Sequence, residues 1–437
     1  MPRVCVLLVL DGLGDRSHAA LGGLTPLQAA ATPHLDAIAA AGANGLYHAG
    51  FPGQALPSEN AHFAMFGASP EEFPGRGYLE ALGLGLAPAP GEVCLLAHCC
   101  CAVVEDGCLR LFRDKPEKPT PEEAAALFAT VEAFTHEGVA VRLHRDKGLF
   151  GVVTMTGDVS PEVTDTNPMV DGLFLPEPEP MAGAGLAAAR TARALRAYLL
   201  FARRVLAAHP INATRAAAGL APINALVTQR AGMAGPLPRF GARFGLRPAS
   251  IASGTLFRGI AKALGFDLLP AHDTGDPGAD LAARLETARA AVADYDFLHV
   301  HTKAPDEAAH TKDPLAKKAV IEALDAAVGR AAGPLLADPD VLFAVTADHS
   351  TPSSGPLIHG GEPVPLCLHG PGQRVDAVAR FDEVSAATGC LGFVRGVELP
   401  YLILNGLERA RLVGIRDTPD PPACYPGPVR PFRVEES

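Results

Sequence analysis

Three short, mostly apolar runs, each followed by polar or charged residues, dominate the hydrophobic pattern of the chain. They span Val4 to Leu10, Phe297 to His301 and Val341 to Val345. Apolar runs of this length are typical of strands that are buried on both faces of a parallel sheet. The first run leads into the glycine-rich turn Asp11-Gly12-Leu13-Gly14-Asp15. Because open α/β sheets bind ligands at the carboxyl ends of their strands, we expect the chemistry there.

Helical patterns alternate with these strands. Thr32 and Pro33 open a helix that continues through Leu35 and Ile38 and ends at Gly42. A threonine N-cap, a proline at the first helical position and a glycine terminator are typical helix boundaries. The pattern therefore predicts an α/β fold in which a mostly parallel sheet is flanked by helices.

The middle of the chain has a different order of elements, and this pattern predicts an inserted domain. Its elements are a cysteine-rich strand from 93, a turn at 105–107, a proline-rich stretch at 115–121, a helix from 122, strands within 139–153 and an alanine-rich helix within 182–208. We therefore predict a discontinuous core of residues 1–92 and 241–437. A smaller, lid-like α+β domain of residues 93–240 would interrupt it.

Composition narrows the classes of function. The 437 residues carry a net charge of -11, and 48% are hydrophobic and 19% charged, as in ordinary globular proteins. The negative charge disfavours binding to nucleic acid or to anionic membranes. The first apolar run stops at Asp11, too early for a membrane span or a signal peptide. Four of the nine cysteines crowd into 94–101, where packing is favoured over disulfide pairing, so we expect a cytoplasmic protein.

Potential metal ligands follow the strands. They are Asp11, Asp306, His310, Asp348, His349 and His359. Aspartate and neutral histidine bind zinc or manganese, and the i, i+4 spacing of Asp306 and His310 places both on one face of a helical turn. Asp348 and His349 are adjacent, so one ion could hardly bind both comfortably, and two ions fit better. Any one of these residues could instead cap a helix or fill a loop. Their recurrence at successive strand ends favours a metal site.

The motifs around these residues also occur in a known order. They are Asp11-Gly12-Leu13-Gly14-Asp15, Thr25-Pro26-Leu27, Thr32-Pro33-His34-Leu35-Asp36, Ser58-Glu59-Asn60-Ala61-His62, Gly75-Arg76-Gly77, Lys303-Ala304-Pro305-Asp306-Glu307-Ala308-Ala309-His310 and Thr346-Ala347-Asp348-His349-Ser350-Thr351-Pro352. Together they resemble the archaeal-type cofactor-independent phosphoglycerate mutases of the alkaline phosphatase superfamily. The resemblance spans nearly the whole chain and implies an alkaline-phosphatase-like core.

The resemblance implies a centre of two divalent metal ions with a serine nucleophile. The ligands of one ion would be Asp306, His310 and His359, and those of the other Asp11, Asp348, His349 and the oxygen of Ser58. A free serine hydroxyl is almost un-ionised at neutral pH, and coordination to a divalent ion is one way to generate the alkoxide. The expected ions are Mn or Zn, with Mg or Co also possible.

The resemblance also implies a reaction. The phosphate of 3-phosphoglycerate would pass to the serine and return to a different hydroxyl of the same molecule, giving 2-phosphoglycerate. Lys303 would neutralise phosphate oxygens in the transition state. The lid-like insertion would exclude water, which would turn a mutase into a phosphatase. The candidate substrate-binding residues are Arg76, Asn60, His62 and Arg230.

Several positions depart from the family pattern. Where it usually has substrate-binding arginines or their partners, this chain has Leu96, His98, Phe150, Gln229 and Asn167-Pro168-Met169, and Pro57 precedes the serine in place of glycine. These changes leave an alternative open: a phosphomonoesterase, a phosphonate hydrolase or a mutase for a different phosphorylated metabolite. In each case the partner is a small phosphorylated metabolite. A catalytically silent, metal-stabilised binding protein is disfavoured, because it would not need Ser58. The sequence does not indicate an oligomeric state.

Overall fold

The chain divides into two units in a computed structural model that describes residues 2–419, 421–427 and 429–434. The first unit comprises Met1–Phe73 and Leu237–Ser437, and the second comprises Pro74–Pro236. The strands are β1 (Val4–Leu10), β2 (Ala43–His48), β3 (Val93–Glu105), β4 (Cys108–Arg113), β5 (Ala133–His136), β6 (Val139–Arg145), β7 (Phe150–Thr156), β8 (Ala225–Met233), β9 (Pro248–Ile251), β10 (Asp267–Leu268), β11 (Phe297–Thr302), β12 (Val341–Thr346), β13 (Val364–His369) and β14 (Gly392–Arg395).

Helices occur in both units. They are α1 (Pro26–Ala29), α2 (Pro33–Ala40), α3 (Ser58–Met65), α4 (Arg76–Gly83), α5 (Pro121–Ala129), α6 (Leu186–Ala207), α7 (Pro210–Ala217), α8 (Phe240–Phe244), α9 (Thr255–Leu264), α10 (Pro277–Ala291), α11 (Ala304–His310), α12 (Pro314–Ala331), α13 (Gly333–Leu336) and α14 (Leu399–Gly406). In the described part of the chain, no helix combines the length and the apolar character needed to cross a membrane.

The first unit is built on an eight-stranded sheet with the order β10-β9-β11-β1-β12-β13-β2-β14. The five strands from β10 to β12 are parallel, whereas β13 runs antiparallel to both of its neighbours. All residues of β1, β11 and β12 are buried, as their apolar runs predict. The predicted fold class, a mostly parallel sheet flanked by helices, is therefore confirmed.

The predicted boundaries of the first helix are also close to those observed. Pro33 begins α2 and Thr32 occupies the N-cap, but the threonine side chain forms no capping hydrogen bond. Its Oγ1 donates instead to Oδ1 of Asp36, at 3.4 Å. The position of the helix start was thus predictable, whereas the partner of the threonine hydroxyl was not.

The second unit is an antiparallel sheet with helices. Its strands follow the order β4-β3-β7-β6-β5, and β8 pairs with β3. The long helix α6 contributes Leu195, Tyr198 and Leu206 to the hydrophobic core of this unit. The Tyr198 hydroxyl is buried there and donates a hydrogen bond to the carbonyl oxygen of Val131, at 2.8 Å.

The second unit begins earlier than the sequence pattern predicts. The boundary expected at residue 93 lies at Phe73/Pro74, because α4 packs on β3 and β8. Gly77 permits this packing, since a Cβ atom there would lie 2.1 Å from the carbonyl oxygen of Cys94. The second boundary, expected at residue 241, lies at Pro236/Leu237.

A buried lysine joins the loops that follow β1 and β12 in the first unit. Lys317, on α12, is fully buried, and its ammonium donates to the carbonyl oxygens of Gly14 and Thr351, both at 2.8 Å. It also donates to Oδ2 of Asp15, at 3.2 Å. Burial lowers the pKa of Lys317, and the Asp15 carboxylate opposes this effect. Because both charges are buried, each one needs the other.

We predict that Lys317→Met destabilises the first unit by about 3–5 kcal/mol, because it removes the buried ammonium that pairs with the Asp15 carboxylate. The measurement is urea unfolding followed by far-ultraviolet circular dichroism. Lys318→Met is the matched control, since Lys318 is partly exposed and pairs with Glu322 one helical turn away. That change should cost no more than about 0.5 kcal/mol. Equal losses for the two variants would contradict the role assigned to Lys317.

Candidate active site

Three neighbouring strands of the first unit deliver the candidate ligands to one edge of the sheet. The strand β1 lies between β11 and β12 and is parallel to both, with Leu10 opposite Thr302 and Val9 opposite Thr346. Asp11 follows β1 directly, and Asp348 lies two residues beyond the end of β12. The carboxyl ends of the strands are therefore aligned, which brings together residues that are far apart in the sequence.

Ser58 lies at the start of α3 and points toward this edge. The N-cap of α3 is Pro57, so Ser58 is the first helical residue and not the cap that its position before Glu59 could suggest. Its Oγ lies 3.0 Å from Nε2 of His349 and accepts a hydrogen bond from Nζ of Lys303, at 3.2 Å. The serine oxygen thus faces a histidine, which is a common metal ligand, and an ammonium group.

The first predicted ligand set is assembled in the structure. The ligand atoms of Asp306, His310 and His359 lie within 4.8 Å of one another. Nε2 of His310 is 3.3 Å from Oδ2 of Asp306, and Nε2 of His359 is 3.6 Å from Oδ1 of the same carboxylate. The i, i+4 pair and the distant loop histidine therefore converge on one point.

The second predicted set converges beside the first. Nε2 of His349 lies 3.2 Å from Oδ2 of Asp348 and 3.8 Å from Oδ1 of Asp11. The side chains of Asp348 and His349 thus face each other although the two residues are adjacent in the sequence. These residues lie in the loop after β12, where successive side chains need not point to opposite faces as they do along a strand. Asp11, Asp306 and His349 also form a cluster within 4.8 Å.

Buried negative charge dominates the electrostatics of the site. Asp11, Asp306 and Asp348 are each no more than 1% exposed, and one ammonium, that of Lys303, lies among them. Burial and the nearby Asp348 carboxylate raise the pKa of Asp11 to about 7. Burial lowers the pKa of Lys303, but Asp11 and Asp306 outweigh that effect and raise it overall. Three carboxylates against one ammonium leave negative charge that a cation would neutralise.

The orientation of two histidines fits a metal ion. Nδ1 of His359 lies 2.7 Å from the carbonyl oxygen of Leu56, which can only accept, so Nδ1 carries the proton. Burial lowers the pKa values of His359 and His349, which favours their neutral forms. Nε2 of His359 therefore directs a lone pair toward the Asp306 carboxylate. His349 is similar, with Nδ1 3.0 Å from Oγ1 of Thr351 and Nε2 toward the aspartates. Lone pairs that face carboxylates are typical of a site that holds a cation between them.

Two residues without a predicted role complete the site. Thr351 donates from Oγ1 to Oδ1 of Asp306, at 2.7 Å, and thereby links the ligand loops. Gly12 donates its N–H to Oδ1 of Asp348, at 3.0 Å, and has a φ of +66°. A Cβ atom on Gly12 would lie 2.6 Å from Cβ of Asp306. Both residues lie inside the quoted motifs, and their closeness to the ligands in the sequence was the available signal.

The remaining predicted residues are placed differently. His62 is fully buried, with Nδ1 2.8 Å from the carbonyl oxygen of Ser58, so it lies behind the serine. Asn60 is half-buried on α3. Arg76 and Arg230 belong to the second unit, where Arg76 pairs with Glu80 at 3.2 Å. Substrate binding by Asn60, Arg76 and Arg230 stays a prediction.

Comparisons with known proteins cover nearly the whole chain. Residues 3–406 match the metalloenzyme superfamily. The chain is 36% identical over 423 residues to 2,3-bisphosphoglycerate-independent phosphoglycerate mutase 2 of Methanocaldococcus jannaschii, covering 94% of this chain and 95% of that protein. A solved structure of the PH0037 protein from Pyrococcus horikoshii is similar with a TM-score of 0.78 and 29% identity, covering 95% of this chain and 100% of that one. The cofactor-independent phosphoglycerate mutase from Thermoplasma acidophilum is similar with a TM-score of 0.64 and 29% identity, covering 93% and 100%.

We predict that Gly12→Ala weakens metal binding by about 10–100-fold, because the new methyl group displaces Asp306 and Thr351 from their positions. Titration of the metal-free protein with Mn²⁺ measures this loss. Gly22→Ala is the matched control: Gly22 also has a positive φ, of +68°, but nothing lies within 4 Å of the added Cβ. Gly22→Ala would introduce a similar backbone strain, of about 1–2 kcal/mol, without a steric clash at the added Cβ. Equal metal affinities for the two variants would show that the site tolerates the collision.

Proposed function

The chain belongs to the 2,3-bisphosphoglycerate-independent phosphoglycerate mutases of the metalloenzyme superfamily, and we propose that it interconverts 3-phosphoglycerate and 2-phosphoglycerate. The family expected from the motifs is thereby confirmed, and the chain is a metal-dependent enzyme. The observation that carries the proposal is the position of Ser58 Oγ, within 3.2 Å of both His349 and Lys303 at the ligand cluster. The relatives are named as mutases, so the hydrolase alternative is not favoured.

We assign two ions to the site. Asp306, His310 and His359 would hold one, and Asp11, Asp348, His349 and Ser58 the other, with Mn or Zn as the expected metals. Bound divalent metal supplies Lewis acidity, which lowers the pKa of the serine hydroxyl and withdraws charge from the phosphate. The clustering of these donors and the surplus of buried carboxylates support this assignment.

The serine acts as the phosphate carrier in the proposed reaction. Its oxygen forms a bond to the phosphorus of 3-phosphoglycerate as the bond from phosphorus to the substrate oxygen breaks, which gives phosphoserine and glycerate. The neighbouring hydroxyl of glycerate then attacks the phosphoserine, which yields 2-phosphoglycerate and restores Ser58. Two in-line transfers replace one transfer between adjacent hydroxyls, for which the in-line geometry is poor.

Lys303 contributes electrostatic stabilisation in this scheme. Its ammonium donates to Oδ1 of Asp11, at 3.1 Å, and contacts Oδ2 of Asp306 at 2.8 Å, in addition to the serine oxygen. These contacts hold a positive charge beside the nucleophile before substrate binds. A charge that is already in place costs no reorganisation when negative charge develops on the transferred phosphate.

The proposal also covers the partner of the enzyme and its location in the cell. We propose a small phosphorylated metabolite as its partner, and Asn60, Arg76 and Arg230 as residues that bind it. All nine cysteines are free thiols, which suits a cytoplasmic enzyme in a reducing compartment.

Phosphorus NMR of the metal-loaded protein with 3-phosphoglycerate tests the function. We expect 2-phosphoglycerate to appear without free phosphate, and Ser58→Ala to abolish this conversion because no carrier oxygen remains. Metal content should stay largely unchanged in the variant, since aspartates and histidines provide the other ligands. Release of free phosphate alone would identify a hydrolase. A variant with the normal rate would exclude the phosphoserine route.

His359→Ala should lose one equivalent of bound metal, because it removes a neutral ligand whose ring is oriented by Leu56. Metal analysis after gel filtration measures the stoichiometry. His369→Ala is the control: its ring nitrogens contact the carbonyl oxygens of Ala41 and Leu336, and no carboxylate of the described residues contacts the ring. That variant should keep both ions. Two ions retained by His359→Ala would refute the ligand assignment.

A further inference from the structure

Three histidines lie buried behind the ligand carboxylates and take no part in the scheme above. His62 on α3 and His299 and His301 on β11 are each no more than 2% exposed. Their ring centroids are 5.2 to 5.7 Å apart, and Phe257 packs against His62 and His301. Three imidazoles in an apolar core are costly unless their polar atoms find partners. Their contacts therefore indicate what each of them does.

His301 contacts a ligand carboxylate directly. Its Nε2 lies 2.9 Å from Oδ2 of Asp11. The other oxygen of this carboxylate, Oδ1, accepts from Lys303 and faces His349. The two oxygens of Asp11 therefore face opposite ways, one toward the catalytic edge and one toward the core. A ring N–H that holds the inner oxygen fixes the direction of the outer one.

His62 supports the nucleophile and the second carboxylate. Its Nδ1 donates to the carbonyl oxygen of Ser58, at 2.8 Å, and lies 3.4 Å from Oδ2 of Asp348. The carbonyl oxygen can only accept, so the proton is on Nδ1. This N–H bonds to Ser58, and the ring lies beside Asp348 in the loop after β12.

The second nitrogen of each ring has no hydrogen-bond partner in the described part of the chain, so a single ring nitrogen makes the contact in His301 and in His62. Nδ1 of His301 and Nε2 of His62 are buried and have no hydrogen-bond partner among the described residues. Each ring therefore has one nitrogen with a partner and one without. In His301 the Asp11 carboxylate selects Nε2, and in His62 the Ser58 carbonyl selects Nδ1.

We propose that His301 and His62 are positioning residues that fix the metal-binding geometry through opposite ring nitrogens. His301 holds Asp11 through Nε2–H, and His62 holds Ser58 through Nδ1–H, with its ring beside Asp348. This inference rests on the proposed function, because Asp11, Ser58 and Asp348 are ligands only in that scheme. It adds a specific requirement, since each contact depends on one tautomer.

Because the two histidines use opposite ring nitrogens, substitution by glutamine or asparagine should have opposite effects at the two positions. The side-chain amide nitrogen of glutamine can take the place of Nε2 of histidine, and that of asparagine can take the place of Nδ1. We expect His301→Gln to preserve the contact with Asp11 and His301→Asn to lose it. The order reverses at the other position, where His62→Asn preserves the contact and His62→Gln loses it. Loss of packing alone does not predict this reversal.

Titration of the metal-free protein with Co²⁺ provides the readout, because the visible absorption of bound cobalt reports affinity, stoichiometry and ligand geometry without turnover. We expect wild-type protein to bind two ions. His301→Asn and His62→Gln should bind cobalt about 10–100-fold more weakly and with altered absorption bands. His301→Gln and His62→Asn should stay close to the wild-type affinity and bands.

His299 provides the matched control. It is buried in the same cluster, but its Nδ1 lies 3.0 Å from Oγ of Ser250, and no contact with a carboxylate is described. His299→Asn and His299→Gln should lower the thermal unfolding midpoint without the crossed pattern in cobalt affinity. A loss of affinity at His299 equal to that at His301 would overturn the proposal, because burial alone would then explain both.

The outcomes separate the two proposals. Wild-type protein that binds no cobalt overturns the proposed function together with this inference. Two bound ions with equal affinities for the asparagine and glutamine variants at each position overturn the inference alone. If a variant fails to fold, nitrogen-15 NMR of wild-type protein loaded with Zn²⁺ decides. Protonated Nε2 in His301 and protonated Nδ1 in His62 support the assignment, and the opposite tautomers refute it.

Discussion

The burial of three carboxylates at one edge of a sheet is the constraint on which the rest of the structure depends. Asp11, Asp306 and Asp348 follow strands that are adjacent and parallel, so the fold brings them together. Buried like charges repel strongly, and such a group is stable only where cations and directed hydrogen bonds compensate. Lys303 supplies one positive charge from the chain itself. Bound divalent metal would neutralise the remaining charge, so metal binding and the stability of this carboxylate group are coupled.

The surrounding structure restrains these carboxylates from two directions. On the loop side, Thr351 donates to Asp306, and Lys317 holds the backbone of the same loop through the Thr351 carbonyl oxygen. On the core side, His301 contacts Asp11. These contacts leave the Asp306 and Asp11 carboxylates few orientations, so little entropy is lost when metal binds. Burying Lys317 and His301 costs free energy, and their contacts with the loops and carboxylates of the site account for their burial.

The sequence predicted the buried strands and the polar residues at their ends, because both depend on local patterns, and the ligand set stays a prediction. The apolar run Val4 to Leu10 could only be a short buried strand, and the polar residues after it mark the strand end. The course of the loops depends on contacts that local patterns do not show. The contacts of Thr351 with Asp306 and of Gly12 with Asp348 therefore escaped prediction. His299 and His301 alternate with apolar residues in a buried strand, and their positions alone did not reveal that only His301 contacts a ligand carboxylate.

The proposed metal ligands and the departures from the family pattern lie in different units. Every proposed metal ligand, Ser58 and Lys303 belong to the first unit, whereas the departures from the family pattern at His98, Phe150 and Gln229 belong to the second. Within the second unit these positions have local partners: His98 lies 2.8 Å from Asp114 and packs on the Phe150 ring, and Gln229 accepts from Asn167 at 3.4 Å. The changed residues are therefore satisfied among themselves. Among the residues that the structure describes, none of these positions belongs to the carboxylate cluster, so the departures from the family pattern leave that cluster unchanged.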